Sequence, residues 1–428
     1  MRLAAGCLLA LAALALSACG NECGFEPQCA GLTAYYHCKG PDVERTECPP
    51  QQFCAMDTAS KSPSCTSGYT VTGTATYGKR EATTNGLMDP VQTPVPNASL
   101  SVVDDVGNVM GSGFTADDGT YTVAYQPTAG VNVHLLLAAA ADPGSGAAVV
   151  VNGKQGVFGY GGPSFSSEPT HAQDLTITDD PSCQSLNIFA TAVKSFKFLR
   201  PLTTAKLPVL TYLFYPNFNP SCGACYHSAS ETIEVEFTSA NSDGFDDTVI
   251  DHEMGHYVQT HISVHDSEGG THYFGQAVDP TMAWSEGFAS YYSSSARHTP
   301  MYIDTQANPS SPNGYSCYIC FNFRALQLLA NPSAPMTQNL TETVVTEILW
   351  MMEDSLAPGL GKPPAAMLGT MINTAAGHMD RGVTGMDLVD YLDEWFIQRG
   401  TDDCASMRTL LSSHRFPYDF QAPGHACP

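Results

Sequence analysis

From Gly68 to about residue 180, apolar and polar residues alternate in short runs separated by turn residues, among them "YTVTGTATY", "ASLSVVD", "GTYTVAY" and "VNVHLLLAA". A period of two is the pattern of half-buried strands, and this spacing of turns predicts an antiparallel β-sandwich with Asp118-Gly119 as a hairpin turn. After residue 180 the period lengthens. "LNIFATAVKSFKFL" (186–199) has near-helical spacing and stops at Pro201, and "LPVLTYLFY" and "ETIEVEF" (231–237) read as strands. A helix is then predicted around "TVIDHEMGHYVQTH" (248–261), with Asp246 and Asp247 placed at its start. Further helices are predicted over 283–296, 320–330, 341–355, 364–376, 384–398 and 404–412.

The first residues follow a different pattern. Met1-Arg2 precedes an apolar run from Leu3 to Leu16, too short to cross a bilayer and suited to the core of a signal peptide. The run ends in "LSACG", which resembles the lipobox of bacterial lipoproteins. That resemblance implies cleavage before Cys19, acylation of Cys19, and contact with a membrane through this lipid anchor only. Gly20, where such lipoproteins carry an inner-membrane retention Asp, points to the outer membrane or the cell surface. The alternative is an ordinary secretory signal cut near the same place. Both predict export.

Export fixes how the 15 cysteines are read. Cys23, Cys29, Cys38, Cys48, Cys54 and Cys65 fall in one short segment, a density that predicts three disulfides stapling a module too small for its own core. Six cysteines leave the connectivity open. Beyond them lie Cys183, Cys222, Cys225, Cys317, Cys320, Cys404 and Cys427, an odd set with at least one thiol left over. "CGAC" and "CYIC" together spell a zinc-ribbon pattern, but in an oxidising compartment disulfides are the favoured reading.

Composition narrows the function. With 43% apolar and 14% charged residues in 428, the chain is globular and long enough for two or three domains. A net charge of −24 with only 18 basic residues excludes a nucleic-acid partner.

On a helix, His252 and His256 lie one turn apart and reach one metal ion, while Glu253 can contact a water on that metal without ligating it. This is the H-E-x-x-H arrangement, two imidazoles and a general base. A catalytic zinc needs a third protein ligand and one open position. The metzincin pattern fails, because Ile262 and Gln259 occupy its histidine and glycine positions. Glu286, in the apolar "AWSEGFASYY", is a carboxylate that is costly to bury without a cation.

"VIDHEMGHYV" followed by "AWSEGFASYY" resembles the gluzincin metallopeptidases. The resemblance implies His252, His256 and Glu286 as zinc ligands, Glu253 as the base, and one catalytic Zn2+. It makes "ETIEVEF" the edge strand that holds extended substrate, and "VVTEILWMMED" the helix that follows the third ligand. No motif supports a structural Ca2+. The family's transition-state stabiliser has no unambiguous match, His378, Tyr391, Tyr315 and His298 being the candidates. Where some members place an orienting aspartate this chain has Ser290, and Asp251 or Asp279 are possible substitutes. His261, His265 and His272 fall in a polar loop as surface residues or rim of the cleft. Separately, "VPNASLSVVDDVGNVMGSGFTADDGTYTV" resembles the transthyretin-like regulatory domains attached to carboxypeptidases.

The expected organisation is therefore multidomain. A signal peptide (1–18) precedes a small disulfide-rich module (19–67) and an antiparallel transthyretin-like β-sandwich (68–180). An α+β thermolysin-like catalytic domain with a helical C-terminal half (181–428) follows. The expected activity is that of an exported zinc endopeptidase acting on proteins or peptides. The rivals are an inactive protease-like surface binding protein and a zinc aminopeptidase.

Overall fold

The computed structural model describes residues 26–428, apart from 31, 40–41, 57–61, 128–129, 142–147, 152–155, 268, 337–338, 375–376 and 378–379. Cys19, Cys23 and His378 lie outside the described residues. In the first module, strands 34–39 and 42–47 pair antiparallel, as do 52–56 and 63–67. Only Ala34, Phe53 and Cys54 are buried among its described residues, so apolar burial contributes little. Disulfides Cys29–Cys54 and Cys48–Cys65 hold it instead, and Cys38 is also disulfide-bonded.

The following β-region forms two layers. One contains strands 98–104, 109–114 and 132–141, with 159–161 and 165–166; the other contains 69–79, 91–94, 120–125, 170–172 and 175–177. Alternation puts Tyr121, Val123 and Tyr125 inside from one layer and Val133, Leu135, Leu137 and Ala139 from the other. Gly111 lets the layers meet, since a Cβ there would lie 2.3 Å from the Ala124 carbonyl oxygen. Two expectations change. Strands 170–172 and 175–177 run parallel to 69–79, so the sandwich is mixed and not purely antiparallel. Asp118-Gly119 does turn the chain, with Gly119 at φ +77°. However, it joins strands of different layers: 109–114 pairs with 98–104, and 120–125 pairs with 69–79. Turn chemistry is local, whereas partner choice is set by the layers.

The first layer continues into the second half of the chain. Strand 148–151 pairs with 132–141 and, in parallel, with 210–213; 232–234 and then 225–227 extend the sheet. "ETIEVEF" is therefore not an edge strand. The segment before it folds back, and Cys225–His227 takes the edge.

Helices then dominate: α1 (Asp180–Leu199), α2 (Asp247–Ile262), α3 (Pro280–Arg297), α4 (Glu342–Glu353), α5 (Pro364–Thr374), α6 (Leu388–Arg399) and α7 (Cys404–Ser413). None among the described residues is long and apolar enough to cross a membrane. The expected helix over 320–330 is absent. Tyr315–Asn322 is instead a strand antiparallel to Met301–Ala307, and turns follow it. Phe321 there faces Tyr302 across the pair and packs against Phe274 and Phe323, and these long-range contacts override a helical spacing. Cys222–Cys225, Cys317–Cys320 and Cys404–Cys427 are disulfides, and Cys183 is the buried free thiol.

Candidate metal centre

The site is built where α2 crosses α3. Gly255 permits the contact: a Cβ there would lie 2.6 Å from the Ala289 Cα. The start of α2 is fixed by two aspartates. Asp246 accepts from the Thr305 N–H at 2.9 Å, and Asp247 accepts from Asn187 at 2.8 Å and Thr191 at 2.9 Å while pairing with Lys79. The start of α3 is set by Pro280 in its first turn and by Asp279, which accepts from the Thr281 N–H at 3.0 Å.

These constraints converge three side chains. His252 Nε2 and His256 Nε2 are 3.2 Å apart, and they lie 3.2 Å and 3.3 Å from Glu286 Oε2. Atoms sharing a tetrahedral zinc at bond lengths of about 2.0–2.1 Å are separated by about 3.3 Å. The triangle has that edge on all three sides, so these residues fit the ion that their chemistry implies. The outer nitrogens are held as well: His252 Nδ1 lies 3.0 Å from Ser290 Oγ, and His256 Nδ1 lies 3.4 Å from Ser285 Oγ.

The site is largely buried, with His252 9% and Glu253 7% exposed. Burial works to lower the His256 pKa, but the Glu286 carboxylate overrides it and raises the ring to about 9. Burial likewise opposes ionisation of Glu286, and the two histidines outweigh it, holding the carboxyl well below its ordinary range. Glu253 adds its negative charge to the field at His256 and at the buried Tyr302.

The structure thus brings together His252, His256 and Glu286, with Glu253 next to His252. Asp251 and Asp279 do not orient the ligands. Asp251 lies 4.0 Å from Arg297, and Asp279 caps α3. The serines do this work, and Ser290, four residues after Glu286 on the same helix, was the readable position. The stabiliser candidates fall elsewhere. The Tyr391 hydroxyl donates to the Met367 carbonyl at 3.2 Å, Tyr315 lies under the Arg80 guanidinium, and His298 ends α3. Nearer the ligands are Tyr302, its ring 6.0 Å from that of His252, and His265, its ring 6.5 Å from that of His256. His261 is on α2 and pairs with Glu231 at 2.9 Å.

His272, read from the sequence as a surface residue or cleft rim, lies beside the ligand triangle, and Glu342 joins it without any signal in the sequence. His272 Nε2 lies 3.7 Å from Glu286 Oε2 and 3.5 Å from Glu342 Oε2. Glu342 and Glu286 together push the His272 ring up to about 9.

No known protein family matches the chain. Over 123 residues it is 32% identical to an uncharacterised protein of Archaeoglobus fulgidus, a stretch covering 28% of this chain and 31% of that relative's length. Among solved structures, the 9R-lipoxygenase of Cyanothece is similar over 32% of this chain and 25% of its own, at 15% identity and a TM-score of 0.16. CueP is similar over 34% of this chain and 72% of its own, at 10% identity and a TM-score of 0.14. The TIE protein of Bacillus anthracis is similar over 35% of this chain and 24% of its own, at 12% identity and a TM-score of 0.15. Scores this low carry no argument about fold or function.

Proposed function

We propose that the chain is an exported, zinc-dependent endopeptidase of the gluzincin type, with a thermolysin-like catalytic region following the disulfide module and the β-layers. One observation carries this reading: His252, His256 and Glu286 present three ligand atoms at tetrahedral zinc spacing, with Glu253 adjacent. A zinc ion held there supplies a Lewis acid that polarises a carbonyl and acidifies water.

The chain's own residues supply the rest. His252, His256 and Glu286 would hold the ion, and Ser290 and Ser285 lie at the outer ring nitrogens, where they fix the ring orientations. Glu253 takes a proton from the attacking water at its carboxylate and returns it to the leaving amine nitrogen. The low exposure of His252 and Glu253 limits competing water. Strand Cys225–His227 ends this sheet among the described residues and is where an extended peptide would pair, and its Tyr226 packs on Tyr257 of α2. The disulfides fit an oxidising compartment, and acylation at Cys19 would tether the enzyme to a membrane.

The test is a panel of internally quenched peptides, blocked or free at their ends, given to wild type and Glu253→Gln. Interior cleavage of doubly blocked peptides by wild type alone supports the proposal. Cleavage only from free N-termini points to an aminopeptidase, and no cleavage by a zinc-loaded protein points to a binding protein.

A further inference from the structure

Two groups of potential ligands share Glu286. His252 and His256 approach it from α2, while His272 and Glu342 approach it from the loop before α3 and the first turn of α4. His272 does not complete the first triangle. Its nearest ligand-bearing neighbours are the two carboxylates, and it groups with them separately.

The second group is built like a ligand set. His272 Nδ1–H donates to the Gly270 carbonyl at 3.1 Å, so Nε2 is the ring nitrogen turned toward the carboxylates and the one that a metal would take in exchange for a proton. Glu342 Oε1 accepts from the Gly275 N–H at 3.2 Å, leaving Oε2 to face His272. The loop is itself pinned, because the Val278 N–H donates to the Leu340 carbonyl at 3.0 Å just ahead of α4. With its outer atom fixed to backbone, each ligand has the orientation that a metal site requires. The Nε2 separations of 3.7 Å to Glu286 and 3.5 Å to Glu342 lie at or beyond the outer limit of a hydrogen bond. They are close to the separation of about 3.5 Å expected for atoms sharing one ion at bond lengths of about 2.1–2.2 Å.

We propose that His272, Glu342 and Glu286 form a second divalent-metal position beside the first, with Glu286 bridging the two. Imidazole with two carboxylates suits Zn2+, Co2+ or Mn2+. Two such ions about 3.5–4 Å apart would clamp both oxygens of a displacement at the carbonyl. The inference deepens the proposed function and rests on it through Glu286.

The probe is Co2+ and, separately, Zn2+, titrated into the metal-free full chain, with bound ions counted by native mass spectrometry. Wild type is expected to take two ions, His272→Ala and Glu342→Gln one each, and His256→Ala to lose the first. Both second-position variants should keep the wild-type circular dichroism spectrum. One ion in wild type, retained by His272→Ala and Glu342→Gln but lost in His256→Ala, overturns the second position and leaves the zinc centre standing. His272 is then the protonated partner of Glu342. Two ions that survive both substitutions also overturn it. No ion in wild type overturns the proposed function together with this inference.

Discussion

Ser290 Oγ lies 3.0 Å from His252 Nδ1, one helical turn after Glu286 on α3. A hydroxyl therefore holds the ring of this candidate ligand, where a carboxylate is the commoner partner. Ser290→Ala removes that bond without disturbing the helix, and zinc affinity should fall about 10–100-fold with the fold intact. Competition with a chromophoric chelator measures it, and an unchanged affinity would remove Ser290 from the site.

Glu253→Gln separates binding from chemistry. The amide keeps the size of the side chain but cannot take a proton, so peptide hydrolysis should drop by about 10²–10⁴ or more while zinc content stays at the wild-type value. Residual hydrolysis near the wild-type rate would mean that another group is the base.

Gly255 sets how closely α2 approaches α3. A methyl group there would sit 2.6 Å from the Ala289 Cα and 2.9 Å from its carbonyl oxygen, both backbone atoms that cannot swing aside. Gly255→Ala should cost about 1–3 kcal/mol and widen the ligand triangle, so that thermal stability and zinc affinity fall together. A variant that keeps both would show that the helices have room to spare.

Asp243, Asp246 and Asp304 bring three carboxylates within 4.8 Å of one another. Burial raises all three; the Asp304 charge adds to it at Asp243 and Asp246, and the Glu236 charge adds to it at Asp304, which reaches about 7. A raised carboxyl holds its proton in the folded state after the unfolded chain has released it, so its contribution is complete below about pH 4 and is lost as pH rises through about 7. A rise from 3.8 to about 7 corresponds to an upper limit of about 4 kcal/mol. Asp304→Asn should therefore raise the Tm at pH 8 and lose that advantage near pH 4. Denaturation at the two pH values checks the sign.

Cys183 is 2% exposed, and burial pushes its thiol up to about 11. Alkylating reagents should leave it unmodified in the native protein and label it once denatured, as peptide mapping would show. Labelling under native conditions would contradict the packing of α1 against the β-layers.

Much of this site was legible because its signals are local. The i, i+4 histidines and Glu286 act within one or two helical turns, whereas Ser290, read as the place where an orienting aspartate is missing, lies against His252, and Asp279, read as a substitute for it, caps α3. What stayed hidden depends on contacts distant in sequence. His272 sits in a polar loop, and contacts distant in sequence, Val278 with Leu340 and Gly275 with Glu342, carry it to Glu342. "ETIEVEF" has strand composition, yet composition does not reveal that 225–227 covers its outer side. The run 320–330 has helical spacing, but its first residues pair with Met301–Ala307 and pack their aromatic rings there.

The most direct measurement of the central claim is zinc per molecule in the purified protein beside its His252→Ala variant. The account predicts zinc in the wild type and its loss in the variant, with the fold preserved. A folded wild type without zinc, or zinc undiminished by the substitution, would contradict it.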